Sequence, residues 1–365
     1  MLDDVLFQPV RFPGGAVSKN RLALAPLTNG QSHPDGRLAD AELTWLERRA
    51  AGGFGIITTC AAYVGRDGKA WHGQLGVDDD AEVPRLAELA RAIGGHGAIG
   101  FVQLFHGGMR ATRAVSGEQP WSASACVDDA PGFEPPRPAT EADLARVIEQ
   151  FAAAARRCAA AGFDGVEIHG AHGYLPSQFL STVYNRREDG WGGSLPGRAR
   201  LLREIVRAVK AAVPARFVVG VRLSPEDFGQ ARGMDLDENV EVARWLCEDG
   251  AGFIHLSLWK ADRMTTKRPD VHALDAFRAA VPAEVPLFAA GAVWTPAEAR
   301  ALVARGAAVV ALGRAGIVNP DWPREAAQPG WEPRRPPVTA AELAERAVSP
   351  AFVAYLRGWK NFVAD

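Results

Sequence analysis

The chain has 365 residues, of which 47% are hydrophobic and 23% are charged, and its formal net charge is −2. This composition is typical of a globular protein with a large core, and so small a net charge gives no electrostatic reason to expect binding to nucleic acid or to a membrane. The widely spaced Cys60, Cys126, Cys158 and Cys247 form no C-x-x-C pair, which argues against a zinc ribbon or an iron–sulfur cluster. The N-terminal segment lacks the features of a secretory signal, and no run of about 18 apolar residues could span a bilayer, so we expect a cytoplasmic protein.

Short apolar runs alternate along the chain with longer amphipathic stretches. The runs are rich in Val, Ile, Leu and Ala, as expected of parallel strands that are buried on both faces. Most of them are followed by a predicted helix. The predicted strands are 21–27, 55–64, 99–106, 165–170, 217–224, 253–258, 286–292 and 309–317.

Helix-end signals support this alternation. Thr295 to Glu298 read as an N-cap, a first-turn proline and a capping-box glutamate, and glycines close several helices just before the next strand. Eight β-then-α units predict a single (β/α)8 barrel domain over 1–365. An open doubly wound sheet is the rival architecture, but no G-x-G-x-x-G follows the first strand. The irregular stretches 107–139 and 181–197 follow the third and fourth strands, so we expect them over the carboxyl-terminal mouth, where barrel sites are built.

Two histidines and a tyrosine, His169, His172 and Tyr174, follow the fourth predicted strand. A catalytic zinc needs three protein ligands, so a metal site would need His106 or His255 as well. From these residues alone, a metal-dependent barrel hydrolase, a pair of structural histidines and a non-catalytic ligand carrier all remain open.

The ends of the last two predicted strands indicate a phosphate site. Phosphate-binding barrels commonly use the loops after strands seven and eight, where backbone N–H groups approach the ligand. Gly291 and Gly313 stand at these two ends, and Arg314 offers a fork of donors to a phosphate. Glycines also end strands for purely steric reasons, so both interpretations are kept.

Longer motifs resemble the Old Yellow Enzyme family of flavin-dependent ene-reductases on a (β/α)8 barrel. The most specific is GFDGVEIHGAHGYLPSQFLSTVYNRREDGWGGS at 162–194. The others are NRLALAPLT (20–28), VQLFHGGMR (102–110), VGVRLS (219–224) and ALGRAGI (311–317). Together they run through almost the whole chain in the family's order.

The resemblance implies non-covalently bound FMN, with NADPH or NADH as hydride donor. Arg222 would face the N1 side of the flavin, where a positive charge stabilises the reduced form. The implied FMN-binding residues are Pro26, Thr28, Ala61, Gln103, Arg222, Gly291, Gly313 and Arg314. Thr28 matches the yeast-type branch, because the thermophilic-like branch carries a cysteine at this position.

The resemblance also implies the reaction, which is reduction of the activated C=C bond of α,β-unsaturated carbonyl or nitro compounds. His169 and His172 would donate hydrogen bonds to the substrate oxygen, and Tyr174 would deliver a proton to the α-carbon. The implied partners are small electron-poor alkenes, with a homo-oligomer possible. Arg357 lies in a segment that, in the thermophilic-like branch, sends an arginine into the neighbouring subunit's site, although a surface position is the simpler reading. Trp45 and Trp259 are candidates for lining the pocket, although lone aromatic residues more often serve packing.

Overall fold

A closed barrel of eight parallel strands forms the centre of the computed structural model, which describes residues 4–127 and 132–364. The strands pair in chain order, and the last pairs with the first, Leu312 opposite Leu24. The predicted (β/α)8 barrel is therefore confirmed. The barrel strands are β1 (Leu22–Leu24), β2 (Ile56–Tyr63), β3 (Ile99–Phe105), β4 (Gly165–Gly170), β5 (Val218–Leu223), β6 (Phe253–Ser257), β7 (Leu287–Ala290) and β8 (Val309–Leu312).

Helices surround the barrel and begin and end at the predicted signals. Thr295 and Glu298 form the predicted capping box, and Gly97, Gly162 and Gly250 adopt positive φ where helices end. No helix in the described ranges is long and apolar enough to cross a membrane. The α-helices are α1 (Asp40–Ala51), α2 (Val83–Gly95), α3 (Arg113–Ser116), α4 (Glu141–Ala160), α5 (Leu175–Leu180), α6 (Leu195–Ala212), α7 (Leu236–Glu248), α8 (Ala273–Ala280), α9 (Pro296–Ala304), α10 (Arg314–Val318), α11 (Trp322–Glu325), α12 (Ala340–Glu345) and α13 (Pro350–Arg357).

The prediction for the eighth strand was wrong at its carboxyl end. The strand ends at Leu312, and the predicted residues that follow turn at Gly313 and form α10. An apolar run does not distinguish a strand from the buried helix that follows it, because both are hydrophobic on every side. As a result, Arg314 lies at the start of a helix rather than inside a strand.

The predicted loop 107–139 contains short elements. They are a 3-10 turn at Gly108–Arg110, helix α3, and the paired two-residue strands Trp121–Ser122 and Arg137–Pro138. The part of the loop at 128–131 lies outside the described residues. Segment 181–197 is irregular up to Leu195, where α6 begins.

Aromatic side chains fill the amino-terminal end of the barrel. Phe12 comes from a small hairpin, Val10–Arg11 paired with Val17–Ser18, that covers this end. Its ring makes edge contacts with Phe101, Phe253 and Phe288 at centroid distances of 5.7, 6.1 and 5.9 Å. Apolar packing closes the amino-terminal end of the barrel, which leaves the carboxyl-terminal end for a binding site.

Candidate active site

The carboxyl ends of the strands surround a cavity of about 390 Å³, which is large enough for a bound cofactor. Strands β5, β6, β7 and β8 and the segments after β1 and β4 all contribute to it. The predicted site residues that line the cavity are Pro26, His172, Arg222, Gly291, Gly313 and Arg314. Residues nearly 300 positions apart in sequence are thus brought together as predicted from the strand ends.

His169, His172 and Tyr174 form one cluster of rings beside this cavity. The His169 ring lies 4.9 Å from the His172 ring and 5.1 Å from the Tyr174 ring, in edge-on contacts. Phe105 packs against Tyr174 at 4.4 Å and supports the cluster from β3. His172 has a φ of 60°, a left-handed conformation that is uncommon outside glycine. Such strain is often found at ligand-binding positions, where it directs a side chain toward the ligand.

The two histidines are neutral, and the tyrosine is protonated. Burial, with positive charge from Arg222 nearby, holds the pKa of His169 and of His172 well below the usual value. Burial also raises the pKa of Tyr174, an effect that Arg110 opposes. The cluster therefore presents three neutral groups that can donate hydrogen bonds or a proton.

Arg222 is joined to His172 through Ser257. Its Nη2 donates to Oγ of Ser257 at 3.2 Å, and the same hydroxyl lies 2.6 Å from Nε2 of His172. Burial lowers the pKa of Arg222, while Glu167 acts in the opposite direction. The Nε–H of Arg222 is buried and has no hydrogen-bond partner in the described part of the chain. Because a buried unpaired donor costs about 1–3 kcal/mol, this group is suited to a ligand atom in the cavity.

A buried carboxylate that the sequence analysis did not assign to the site holds Gln103. Glu167 accepts from Nε2 of Gln103 at 2.6 Å, and its other oxygen lies 2.7 Å from Nδ1 of His255. Burial opposes the charge of Glu167, but His255 and then Arg222 outweigh it and lower the pKa, so the group is ionised. The signal was available, because strand side chains alternate and Glu167 shares the inward face of β4 with His169.

Three predicted cofactor contacts, Thr28, Ala61 and Gln103, do not line the cavity. Ala61 packs with Phe105 and lies opposite Gln103 in the β2–β3 register. Thr28 is half-buried, and its hydroxyl makes no hydrogen bond within residues 4–127 and 132–364. Their roles toward the flavin stay predictions.

The residues at the ends of β7 and β8 fit a phosphate. A Cβ at Gly291 would lie 2.8 Å from Cβ of Leu258, so packing alone requires glycine there. At Gly313 the nearest side-chain atom is 3.5 Å away, which leaves the backbone open toward the cavity. Arg314 is exposed and pairs with no carboxylate in the described ranges. Together with the unpartnered donor of Arg222, these groups suit FMN, which carries an anionic phosphate and an electron-rich pyrimidine edge.

The two histidines considered as a third metal ligand, His106 and His255, are each held by other side chains. His106 is buried against Trp121, 3.5 Å from Asp67, while His255 is paired with Glu167. Among the described residues, no group of three or more His, Cys, Asp and Glu side chains could hold a metal ion.

Two tryptophans complete the cavity wall, and the sequence analysis named one of them. Trp259 lines the cavity as proposed, and so does Trp359, which follows α13 and was not predicted. Trp45 has the alternative role in packing, because its side chain is fully buried in the core against Phe352. Arg357, at the end of α13, is exposed, and its reach toward a second subunit stays a prediction.

Comparisons with known proteins agree with this geometry. The sequence profile of the NADH:flavin oxidoreductase / NADH oxidase family matches residues 5–330. The probable NADH-dependent flavin oxidoreductase YqiG of Bacillus subtilis (strain 168) is 36% identical over 323 residues, covering 87% of this chain and 86% of that protein. The Old Yellow Enzyme homologue of Zymomonas mobilis superposes with a TM-score of 0.81 at 28% identity, covering 95% and 98% of the two chains. Morphinone reductase bound to tetrahydroNAD gives 0.80 at 27% identity, covering 99% and 98%. Three further relatives are longer, and this chain spans between 33% and 49% of their length.

Proposed function

The chain belongs to the NADH:flavin oxidoreductase / NADH oxidase family, and we propose that it reduces activated C=C bonds of α,β-unsaturated carbonyl or nitro compounds. The family match and the structural neighbours confirm the resemblance to Old Yellow Enzymes. They also confirm FMN as cofactor and NAD(P)H as electron donor. The further step to activated alkenes is supported by the ring cluster at the end of β4.

The cluster supplies the donors that this reaction needs. FMN, held by the residues that line the cavity, would supply the transfer of a hydride from NAD(P)H to the β-carbon of the alkene. Negative charge then grows on the carbonyl or nitro oxygen of the substrate. Neutral N–H donors of His169 and His172 hydrogen-bond that oxygen and stabilise the charge as it develops.

We infer one tautomer for each histidine from its hydrogen bonds. Nδ1 of His169 accepts from the backbone N–H of Ala171 at 3.3 Å, so the ring hydrogen is on Nε2. Oγ of Ser257 accepts from Arg222, and we assign its own hydrogen to Nε2 of His172, which places the His172 ring hydrogen on Nδ1. Each histidine thus keeps one N–H for the substrate.

Tyr174 completes the reaction by protonating the α-carbon. Its raised pKa keeps the phenol protonated until a carbanionic centre has formed, and its edge contact with the His169 ring supports this role. The observation that carries the proposal is this association of two neutral histidines with one protonated tyrosine.

Separate half-reactions test the proposal. Tyr174→Phe should slow alkene-driven reoxidation of the flavin by about 10²- to 10⁴-fold, because a general acid is lost. Bleaching of the flavin by NADPH, followed anaerobically, should change far less. Tyr63→Phe is the matched control, since it removes a buried hydroxyl that donates to the Asp35 carbonyl instead of to a ligand. Equal slowing of both half-reactions by Tyr174→Phe would contradict the assigned role.

A further inference from the structure

A groove opens beside the cavity, between the segments that follow β5 and β6. Ser257, Leu258 and Trp259 line both spaces, so the groove is continuous with the cavity. Its outer part is lined by Phe228 and Arg263. A ligand held in the cavity can therefore extend into the groove without leaving the protein surface.

A row of aromatic rings runs from the ring cluster toward this groove. The ring of Phe228 lies 6.2 Å from that of His172, and the ring of Trp259 lies 5.5 Å from that of Phe228. Trp259 is 55% exposed, the most exposed tryptophan among the large hydrophobic side chains at the surface. An exposed indole at the rim of a site presents a face on which a planar ring can stack.

Two cations at the groove are unpaired. Lys260 and Arg263 line it, both are exposed, and neither lies within 4.0 Å of a carboxylate in the described part of the chain. In the same loop, Lys267 is ion-paired with Asp235, just before α7, and Arg268 is ion-paired with Asp237 in the first turn of α7. Binding of an anion at Lys260 and Arg263 therefore breaks no existing ion pair.

Two acidic side chains that line the groove, Glu226 and Asp227, accept hydrogen bonds from the backbone of its loops. Glu226 accepts from the backbone N–H groups of Thr266 at 2.6 Å and Lys267 at 3.3 Å. Asp227 accepts from the backbone N–H of Met234 at 2.5 Å. These bonds direct the carboxylates toward backbone donors and fix the segments that carry the aromatic and cationic side chains.

We propose that this groove binds the adenosine-phosphate half of the nicotinamide nucleotide that reduces the flavin. The adenine stacks on Trp259, and the phosphates are held by Lys260 and Arg263. The inference rests on the proposed function in one respect, which is that the nicotinamide occupies the place beside His172 that the alkene later takes. Because two unpaired cations are present, the nucleotide with the additional phosphate, NADPH, gains more than NADH.

The test compares a full nucleotide with one that lacks adenosine. NADPH and reduced nicotinamide mononucleotide are mixed anaerobically with the FMN-loaded enzyme, and the donor concentration that half-saturates the rate of flavin bleaching is measured. Trp259→Ala should raise this concentration about tenfold for NADPH, since stacking of a base on an aromatic ring contributes about 1–3 kcal/mol. The increase should be at least fivefold smaller for the mononucleotide, and Trp259→Phe should restore most of the loss.

A second pair of variants tests the cations. Arg263→Ala should raise the half-saturating NADPH concentration about threefold at low salt and less at high salt, where exposed charges are screened. Arg268→Ala is the matched control, because this neighbouring arginine is already ion-paired with Asp237, and it should have no such effect.

Equal loss with both donors would overturn the proposal, as would no loss with either. Alkene is absent from these measurements, so they do not depend on which compound is reduced. If bleaching is normal but alkenes are not reduced, the proposed function fails while the nucleotide groove stands.

Discussion

The two ends of the barrel interior carry opposite kinds of side chain on the same strands. On β3, Phe101 at the amino-terminal end is followed two residues later by Gln103, and on β6 Phe253 is followed by His255. The phenylalanines stack at 5.2 Å, whereas the two polar side chains are bonded through Glu167. One inward face of a strand thus serves packing at one end and chemistry at the other.

This difference separates stability from function. At the apolar end every buried ring contacts other rings, which stabilises the fold through area removed from water. At the polar end the Nε–H of Arg222 and Nε2 of His255 are buried without a partner in the described ranges, which costs stability. Such departures from complete hydrogen bonding are expected where a protein binds and transforms a ligand.

The largest effect is expected at the apolar end. Phe253→Ala should lower the free energy of unfolding by about 3–5 kcal/mol, because it leaves a cavity among the stacked rings. Urea unfolding of the FMN-loaded protein measures this change. Bleaching by NADPH at low temperature should stay close to normal, and a large loss of rate in a folded variant would contradict the separation of the two ends.

At the polar end, Arg222→Met should act on the cofactor. Loss of the positive charge should slow bleaching by NADPH about a hundredfold and make the midpoint potential of bound FMN more negative, because the reduced flavin loses its counter-charge. Potentiometry with visible spectroscopy measures the shift. Arg216→Met, at an exposed position just before β5, is the control and should leave the potential as it is. An unchanged potential in Arg222→Met would show that this side chain does not face the flavin.

A smaller effect is expected from pH. The pKa of His169 is lowered on folding, so below about pH 6.5 the unfolded chain binds a proton that the native protein does not. Stability should therefore fall as pH decreases from 6.5, with a slope of up to about 1.4 kcal/mol per pH unit from this histidine, and should level off above it. Urea unfolding at several pH values should show a shallower slope for His169→Asn and the normal slope for a change at the exposed His33. Equal slopes in all three proteins would contradict a neutral buried His169.

Much of the barrel could be predicted from sequence because parallel strands leave a strong local signal. The run 165–170 was predicted to the residue, since both faces of β4 are buried and glycines bound it. The end of the eighth strand was not, because the apolar helix α10 continues the same hydrophobic run. Local hydrophobicity thus located the elements better than it located their ends.

The site was predicted where its residues end strands and missed where long-range contacts define it. His172, Arg222 and Gly313 could be placed from the strand order alone. Trp359 could not, because only the folded chain returns the segment after α13 to the mouth of the barrel. Strand alternation places Glu167 on the same face of β4 as His169, but its partners Gln103 and His255 come from other strands and could not be predicted from the sequence.

The most direct measurement of the central claim is the oxidative half-reaction with an activated alkene. Enzyme whose FMN has been reduced by one equivalent of NADPH is mixed anaerobically with 2-cyclohexenone or N-ethylmaleimide, and the flavin absorbance and the products are followed together. We expect the oxidised flavin spectrum to return with one equivalent of the saturated product. A flavin that stays reduced with every enone, maleimide and nitroalkene tested would contradict the account.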